Sequence, residues 1–359
     1  MGVPRALTRI SRRTVLAAVP VLLGLAAACG GDGNDGDSSA ASVVPKRANL
    51  VGSVSTDQSL DFLNLGYNQF SGVFSSGALG EVVIMDGLFN IDRFRSGGPF
   101  GDVSRAEIFA EVSDMNGPEY FAVLLHGSFE EAVLIAALES ASDTNLAQVV
   151  YKGNNIYSST DGDDQFELSV LDGSIFAFGI GNAVKDIIDI RAGDADPASG
   201  SLMDTFNDLH YGLFGLAINL PNGIADEADP GSVLGFGDLP ISLDFISDLD
   251  IVGLKGDLND ASLDLVVTMD FTNEDAAESQ ERFIGGIVSL APQFLPNSST
   301  AGLFESLKIA RDGRLLTLDI GIPVADIPQL FGDLTSIAGT ETSDSRSPGT
   351  PEIRVLQSA

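Results

Sequence analysis

The chain has a single cysteine, no tryptophan, two histidines, and only 19 lysines and arginines among 359 residues. Each scarcity removes a class of function. One cysteine allows no disulfide within the chain, so packing alone must hold the fold. The absence of tryptophan, with five tyrosines, argues against an aromatic platform for stacking sugars. His126 and His210 have no zinc-ligand spacing, and no metal or other cofactor is assigned. His126, beside Leu125 and Gly127, is expected at the surface. No Gly-x-Ser-x-Gly elbow occurs, and none of Lys46, Lys152, Lys185, Lys255 or Lys308 follows a serine at three places, so the common serine-nucleophile motifs are missing. Gly179-Ile180-Gly181-Asn182 lacks the third glycine of a phosphate loop, Val184 standing in its place. It reads as a strand-to-helix turn. The chain is therefore expected not to be an enzyme. The longest apolar run near the start, Val15–Ala28, has about 14 residues, short of the roughly 20 that a spanning helix needs.

Acid is plentiful. Aspartate and glutamate number 51. Removing the four arginines of residues 1–28, a stretch with no acid, leaves 15 basic residues and a net charge of −36. Nucleic-acid binding needs a basic footprint and is excluded. Apolar residues make up 44% of the chain, enough for a real core.

Residues 1–28 combine Arg5 and Arg9, the pair Arg12-Arg13 after Ser11, the apolar run, and Ala26-Ala27-Ala28 directly before Cys29. A basic start, a short apolar core and small residues before a cut site describe an export signal. The segment resembles bacterial twin-arginine signals, with Arg12 and Arg13 as the hallmark pair. It also resembles lipoprotein signals, in which the residue after the cut is a cysteine that is acylated. The resemblance implies a bacterial cell-envelope protein held outside the cytoplasm by lipid on Cys29. Acylation would remove the liability of a lone thiol in an oxidising compartment, and each buried CH₂ contributes about 0.8 kcal/mol to anchoring. Cleavage after Ala28 by ordinary signal peptidase, giving a soluble secreted protein, is the competing reading.

Residues 29–46, rich in Gly, Asp and Ser, read as a lipid-anchored flexible tether. The body divides into 47–195 and 196–336, and 337–359 reads as a disordered tail. The division rests on an internal repeat. Asp172–Ile187 and Asp312–Ile327 align without a gap and match at Asp172/Asp312, Gly173/Gly313, Ile180/Ile320, Gly181/Gly321, Val184/Val324, Asp186/Asp326 and Ile187/Ile327. Upstream of each, a strand (Glu119–Phe129, Leu263–Phe271) leads into a helix, with capping patterns Ser128-x-x-Glu131 and Thr272-x-x-Asp275. Leu263, Leu265, Val267, Met269 and Phe271 alternate with polar positions, as do Leu316, Leu318, Ile320 and Ile322, which marks strands with one wet face. Asp172-Gly173 and Asp312-Gly313 read as hairpin turns. Leu134, Leu138 and Ala141 share one helix face, and Ile284, Ile287, Val288 and Ala291 another. The expected fold class is α+β: two tandem β-β-α-β-β-α repeats, antiparallel sheets with helices on one face. A further strand is expected near Asn49–Val54 or Leu213–Leu220, and repeat one carries an extra hairpin near Val149–Ser158. The body resembles bacterial envelope lipoproteins built from duplicated antiparallel α+β units.

Repeat one also carries an insertion, 70–100, with Phe70, Phe74, Phe89, Phe94 and Phe100 among glycines, and with Arg93 and Arg95 in an otherwise acidic body. Phe89, Arg93, Phe94 and Arg95 are the candidate binding flap for an apolar ligand or an envelope protein; core packing is the competing reading. Asp161-Gly162-Asp163-Asp164 and Asp257-x-Asn259-Asp260 suit hairpin turns better than calcium loops. The expected role is non-catalytic binding at the membrane. The alternatives are a carrier of a lipid or other apolar molecule and a carboxylate-based hydrolase.

Overall fold

The computed structural model describes residues 43–55, 103–112, 120–142, 145–159, 166–210, 212–220, 247–259, 261–294 and 306–326. Twelve strands form one antiparallel sheet: β1 Leu50–Ser55, β2 Arg105–Glu111, β3 Tyr120–His126, β4 Leu146–Tyr151, β5 Asn154–Ser159, β6 Phe166–Leu171, β7 Ile175–Ile180, β8 Phe214–Asn219, β9 Leu249–Leu258, β10 Ser262–Phe271, β11 Lys308–Asp312 and β12 Leu315–Pro323. Among the described residues, four α-helices accompany it: α1 Glu131–Ser142, α2 Ala183–Ala192, α3 Ser201–Leu209 and α4 Glu274–Phe294. The α+β class and the antiparallel pairing agree with expectation. So do the extra hairpin, which is β4–β5, and both extra strands, β1 and β8.

The spatial order is β11-β12-β10-β9-β8-β1-β2-β3-β7-β6-β5-β4. Strand β1 pairs with β8, Gly52 opposite Leu216, so the two halves of the body share one continuous sheet. Outward from that pair the order runs β1-β2-β3-β7-β6 on one side and β8-β9-β10-β12-β11 on the other.

The helices do not lie on one face, as expected from sequence, but on both. Successive side chains of a strand point to opposite faces. On β3, Tyr120, Ala122 and Leu124 share a buried cluster with Ala183, Val184, Ile187 and Ile188 of α2 and Leu202, Met203 and Phe206 of α3. On the same strand, Val123 and Leu125 pack with Leu134, Ile135 and Leu138 of α1. Helix α4 lies on the α1 side: Ala277 and Ile284 join Met269, Phe271 and Leu316, whereas α3 covers the neighbouring Gly253, whose absent Cβ would meet Leu209 and Thr205. The reason is the unbroken run Tyr120-Phe121-Ala122-Val123-Leu124-Leu125, apolar on both faces, which must be covered on both. Ile287, grouped with the inward residues of α4 by period alone, is 36% exposed.

Local signals were partly redirected. The cap of α4 is Asn273, whose Oδ1 accepts from the Ala276 N–H at 2.9 Å, rather than Thr272. Glu131 does not reach back to Ser128; its Oε1 accepts from Asn155 Nδ2 at 2.7 Å and Tyr157 Oη at 2.6 Å. Gly181 and Asn182 both take left-handed backbone and turn β7 into α2, whereas the matching Gly321 stays inside β12 opposite Asp264. Residues 43–46 belong to the body and not to the tether: Val43 and Val44 are buried, Pro45 bridges Pro197 and Lys46 reaches Asp196 at 2.9 Å. Burying two valines orders the chain there.

Three tyrosines fasten helices to the sheet through carboxylates. Tyr120 donates to Asp186 and Tyr151 to Asp189, both of α2 and both at 2.9 Å, while Tyr157 donates to Glu131 of α1. Burial and Asp186 raise the Tyr120 hydroxyl above its usual range. The hydrogen bond to Asp189 raises Tyr151, and burial with Glu131 pushes Tyr157 up to about 12. A raised pKa means the folded state holds the proton longer than the unfolded chain. The stability involved is complete below the ordinary tyrosine value near 10 and is lost as the pH rises through the raised values. Phenolate absorbance at 295 nm should therefore show three of the five tyrosines ionising above that ordinary value, and together with alkaline unfolding. Three ordinary titrations in the folded protein would contradict these contacts.

Candidate functional site

The face that carries α1 and α4 has an unusual composition. Following the cross-strand pairs from β6 to β12, the side chains that point to it are Phe166, Leu168 and Val170 on β6; Phe176, Phe178 and Ile180 on β7; and Phe121, Val123 and Leu125 on β3. The centre adds Ala106, Ile108 and Ala110 of β2, Leu50 and Val54 of β1, and Phe214, Leu216 and Ile218 of β8. Beyond the centre come Val252, Leu254 and Leu258 of β9, Leu263 to Phe271 at alternate positions of β10, and Leu316, Leu318, Ile320 and Ile322 of β12. Apart from the irregular pairing near Asp270, nine adjacent strands present no polar side chain on this face.

Helix α1 covers one end of it and α4 the other. Between them lies a stretch of apolar floor, the trough, whose Leu50, Val54 and Ala110 are buried and whose Ile108, Leu216 and Ile218 are half-buried. Its central clusters are Leu50, Ala110 and Val112 with Ile108, Phe121, Leu216 and Ile218, and Leu213 and Leu263 with Phe214, Leu258, Leu265, Ile322 and Val324. Neither cluster contains a residue of α1 to α4; Val324 opens a short 3-10 turn after β12. Gly52 sits mid-floor, where a Cβ would stand 3.1 Å from both Ile108 Cγ2 and Leu216 Cδ1. An apolar floor offers shape and dispersion to whatever meets it.

The ionisable side chains of the floor strands point to the opposite face. Glu107 of β2 is buried, and its Oε2 lies 3.0 Å from His126 Nε2. That nitrogen has no partner of hydrogen-bonding geometry, so the contact is one of proximity. His126 is thus half-buried beside a carboxylate and not the surface residue expected, because Glu107 of the neighbouring β2 lies against it. His210 ends α3, its Nδ1 2.9 Å from Asn207 O and its ring stacked on Phe206 at 5.4 Å. The buried Glu107 faces a histidine, not the second carboxylate that glycoside hydrolysis requires. Asp270 is raised by burial and by Asp250, with Arg314 opposing at 2.9 Å, which is the pattern of a screened ion pair.

Among the described residues, no group of three or more His, Cys, Asp or Glu could hold a metal ion, and no helix is long and apolar enough to cross a membrane. Asn259 uses its Oδ1 to accept from the Ala261 and Ser262 N–H groups at 2.9 Å, and Asp257 pairs with Lys255 at 2.8 Å; both are engaged within their own hairpin. Asp260 and the turn 161–164 lie outside the described residues. So do Cys29, Arg12, Arg13 and the flap residues Phe89, Arg93, Phe94 and Arg95. The flap belongs to the connection between β1 and β2, two strands of the trough floor. The floor residues themselves were not singled out from sequence. Their signal was the two-residue period of Leu50/Gly52/Val54 and Leu216/Ile218, which names a buried face without saying that nine such faces adjoin.

No protein-family profile matches the chain, and no curated protein matches it. Solved structures of TP0453 do. Crystal form III has a TM-score of 0.45 at 14% identity over 84% of this chain and 99% of that one. Form I gives 0.43 and 13% over 84% and 98%, and form IV gives 0.45 and 10% over 83% and 97%.

Proposed function

We propose that this chain is a lipoprotein of the bacterial cell envelope, held at a membrane by lipid on Cys29, and that its body binds an apolar ligand or partner without catalysing a reaction. The observation that carries the reading is the trough: a wide sheet face without a polar side chain, walled by α1 and α4. A lipid or similar molecule carried there is the form of ligand that such a lining fits, since burial of apolar surface contributes roughly 25 cal/mol per Å² and nothing on the floor would leave a polar group unpaired. The segment with Phe89, Arg93, Phe94 and Arg95 is the second contributor in this reading, because it joins two floor strands. The matched strand orders outward from the β1–β8 pair support a duplicated unit as the origin of the body. Export through Arg12-Arg13 and acylation after Ala28 complete the proposal.

Native mass spectrometry of the gently purified full chain tests the binding claim. The expected spectrum contains the protein with a non-covalent apolar adduct, lost in Gly52→Leu, which fills the floor. A ligand-free spectrum, together with no uptake of a fluorescent fatty acid, would end the apolar-ligand reading. Intact mass separately tests the anchor: the chain should begin at Cys29 and carry fatty acyl mass, and Cys29→Ser should release it from membranes.

A further inference from the structure

Among the described residues the sheet has two free edges, β4 and β11, and they differ in a way that matters. A free edge strand is a template for another chain, and proteins guard such edges with charge. Strand β11 is guarded by Lys308, Arg311 and Asp312. Strand β4 reads Leu-Ala-Gln-Val-Val-Tyr and has no charge, while Val149 and Val150 are 60% and 66% exposed. The hairpin that presents it is well made. Lys152 and Gly153, both at positive φ, form a two-residue turn of the type that suits twisted strands. The hairpin is tied down by Lys152 to Asp189 at 2.7 Å and by the Tyr151 hydroxyl to Asp189.

The register shows which backbone groups face outward. In a two-residue turn the Tyr151 carbonyl accepts from the Asn154 N–H, so Tyr151 and, by alternation, Val149 and Ala147 direct their backbone groups to β5. Gln148 and Val150 therefore direct theirs away from the sheet. We propose that β4 pairs with β4 of a second copy, antiparallel, about a two-fold axis through Val149. Gln148 then exchanges two hydrogen bonds with Val150 of the other copy, and the same happens symmetrically. Val149 meets its own counterpart across the axis.

Charge selects this occupant. Residues 145–159 contain no aspartate or glutamate in a chain with 51 of them, and their one cation, Lys152, is held by Asp189 and Asp194. A basic peptide would find one carboxylate, Glu139 at the start of the strand, already accepting from the Leu146 N–H at 3.0 Å, whereas a self-pair centred on Val149 brings no like charges together at the contact. The net charge of −32 on each copy opposes approach only at long range, where salt screens it.

Sedimentation velocity of the full chain in mild detergent tests the pairing. The expected result is a reversible dimer that strengthens from 20 to 500 mM NaCl. Val149→Lys, which sets two cations on the axis, should weaken it at least 100-fold without changing the melting temperature, and Arg311→Ala on the other edge should leave it intact. In a Cys29→Ser background, Val149→Cys should oxidise to a covalent dimer, because residues facing on the axis lie within disulfide reach. A monomer at 100 μM in 500 mM NaCl overturns the proposal. So does a dimer indifferent to Val149→Lys, or a Val149→Cys cross-link formed with another protein instead.

Discussion

Phe206→Ala is expected to destabilise the body by about 3–5 kcal/mol, measured as a lower urea midpoint with an unchanged slope. Phe206 is fully buried. It sits on α3 and belongs to the cluster that includes Val51 of β1 and Ala217 of β8, the two strands that join the halves of the sheet. Those strands leave little room. A Cβ on Gly215 would stand 2.5 Å from Leu209 O and 2.9 Å from His210 Cα, so the end of α3 rests directly on the β8 backbone. Leu209 and His210 cannot close into the space left by the ring without moving that contact, and the cavity persists. With no disulfide available, and a typical total stability of about 5–15 kcal/mol, the loss removes a large share. A change under about 1 kcal/mol would mean that α3 does not hold the junction.

Much of the second half of the sheet could be read from its sequence because one of its faces is wet. Asp264, Thr268 and Asp270 alternate with Leu263 to Phe271, and Thr317, Asp319 and Gly321 alternate with Leu316 to Ile322, so the period of two was plain. The turns at Gly173 and Gly313 were also plain, since both take positive φ. The first half hid its geometry. Strand β3 is apolar throughout, and a continuous apolar run does not say which face meets which helix. The β1–β8 junction depends on residues more than 150 apart, Gly52 with Leu216, and no local pattern predicts such a pairing. Glu107 and His126 are close in sequence, but their meeting depends on the register of β2 against β3. The trough escaped notice for a related reason: each floor residue is an ordinary inward residue of its own strand, and only the strand order lines them up. The flap and the anchor were chosen for composition and motif, and they fall in residues that the described fold does not include.

Gly179→Asp should abolish folding of the body, while the reciprocal change Asp319→Gly should alter stability by less than about 1 kcal/mol. The two positions are equivalent in the ungapped alignment of 172–187 with 312–327, and each points to the face opposite the trough. On β7 that face is covered. A Cβ on Gly179 would lie 2.6 Å from Phe121 O and 3.1 Å from both Ala122 Cβ and Ala183 Cβ, because α2 begins directly above the strand. The first two atoms belong to β3, in the middle of the sheet, and cannot retreat. Overpacking of this kind costs about 1–3 kcal/mol, and a carboxylate forced in beside it without a partner adds several more. On β12 the face is open: the Asp319 side chain is 46% exposed, and its nearest cation, Lys308, is 3.8 Å away and itself 80% exposed. Such a pair contributes little. Circular dichroism melts of the two single variants decide the matter. If Gly179→Asp melts near the parent temperature, α2 does not seal this face. The difference between covered and open sheet would then need another origin.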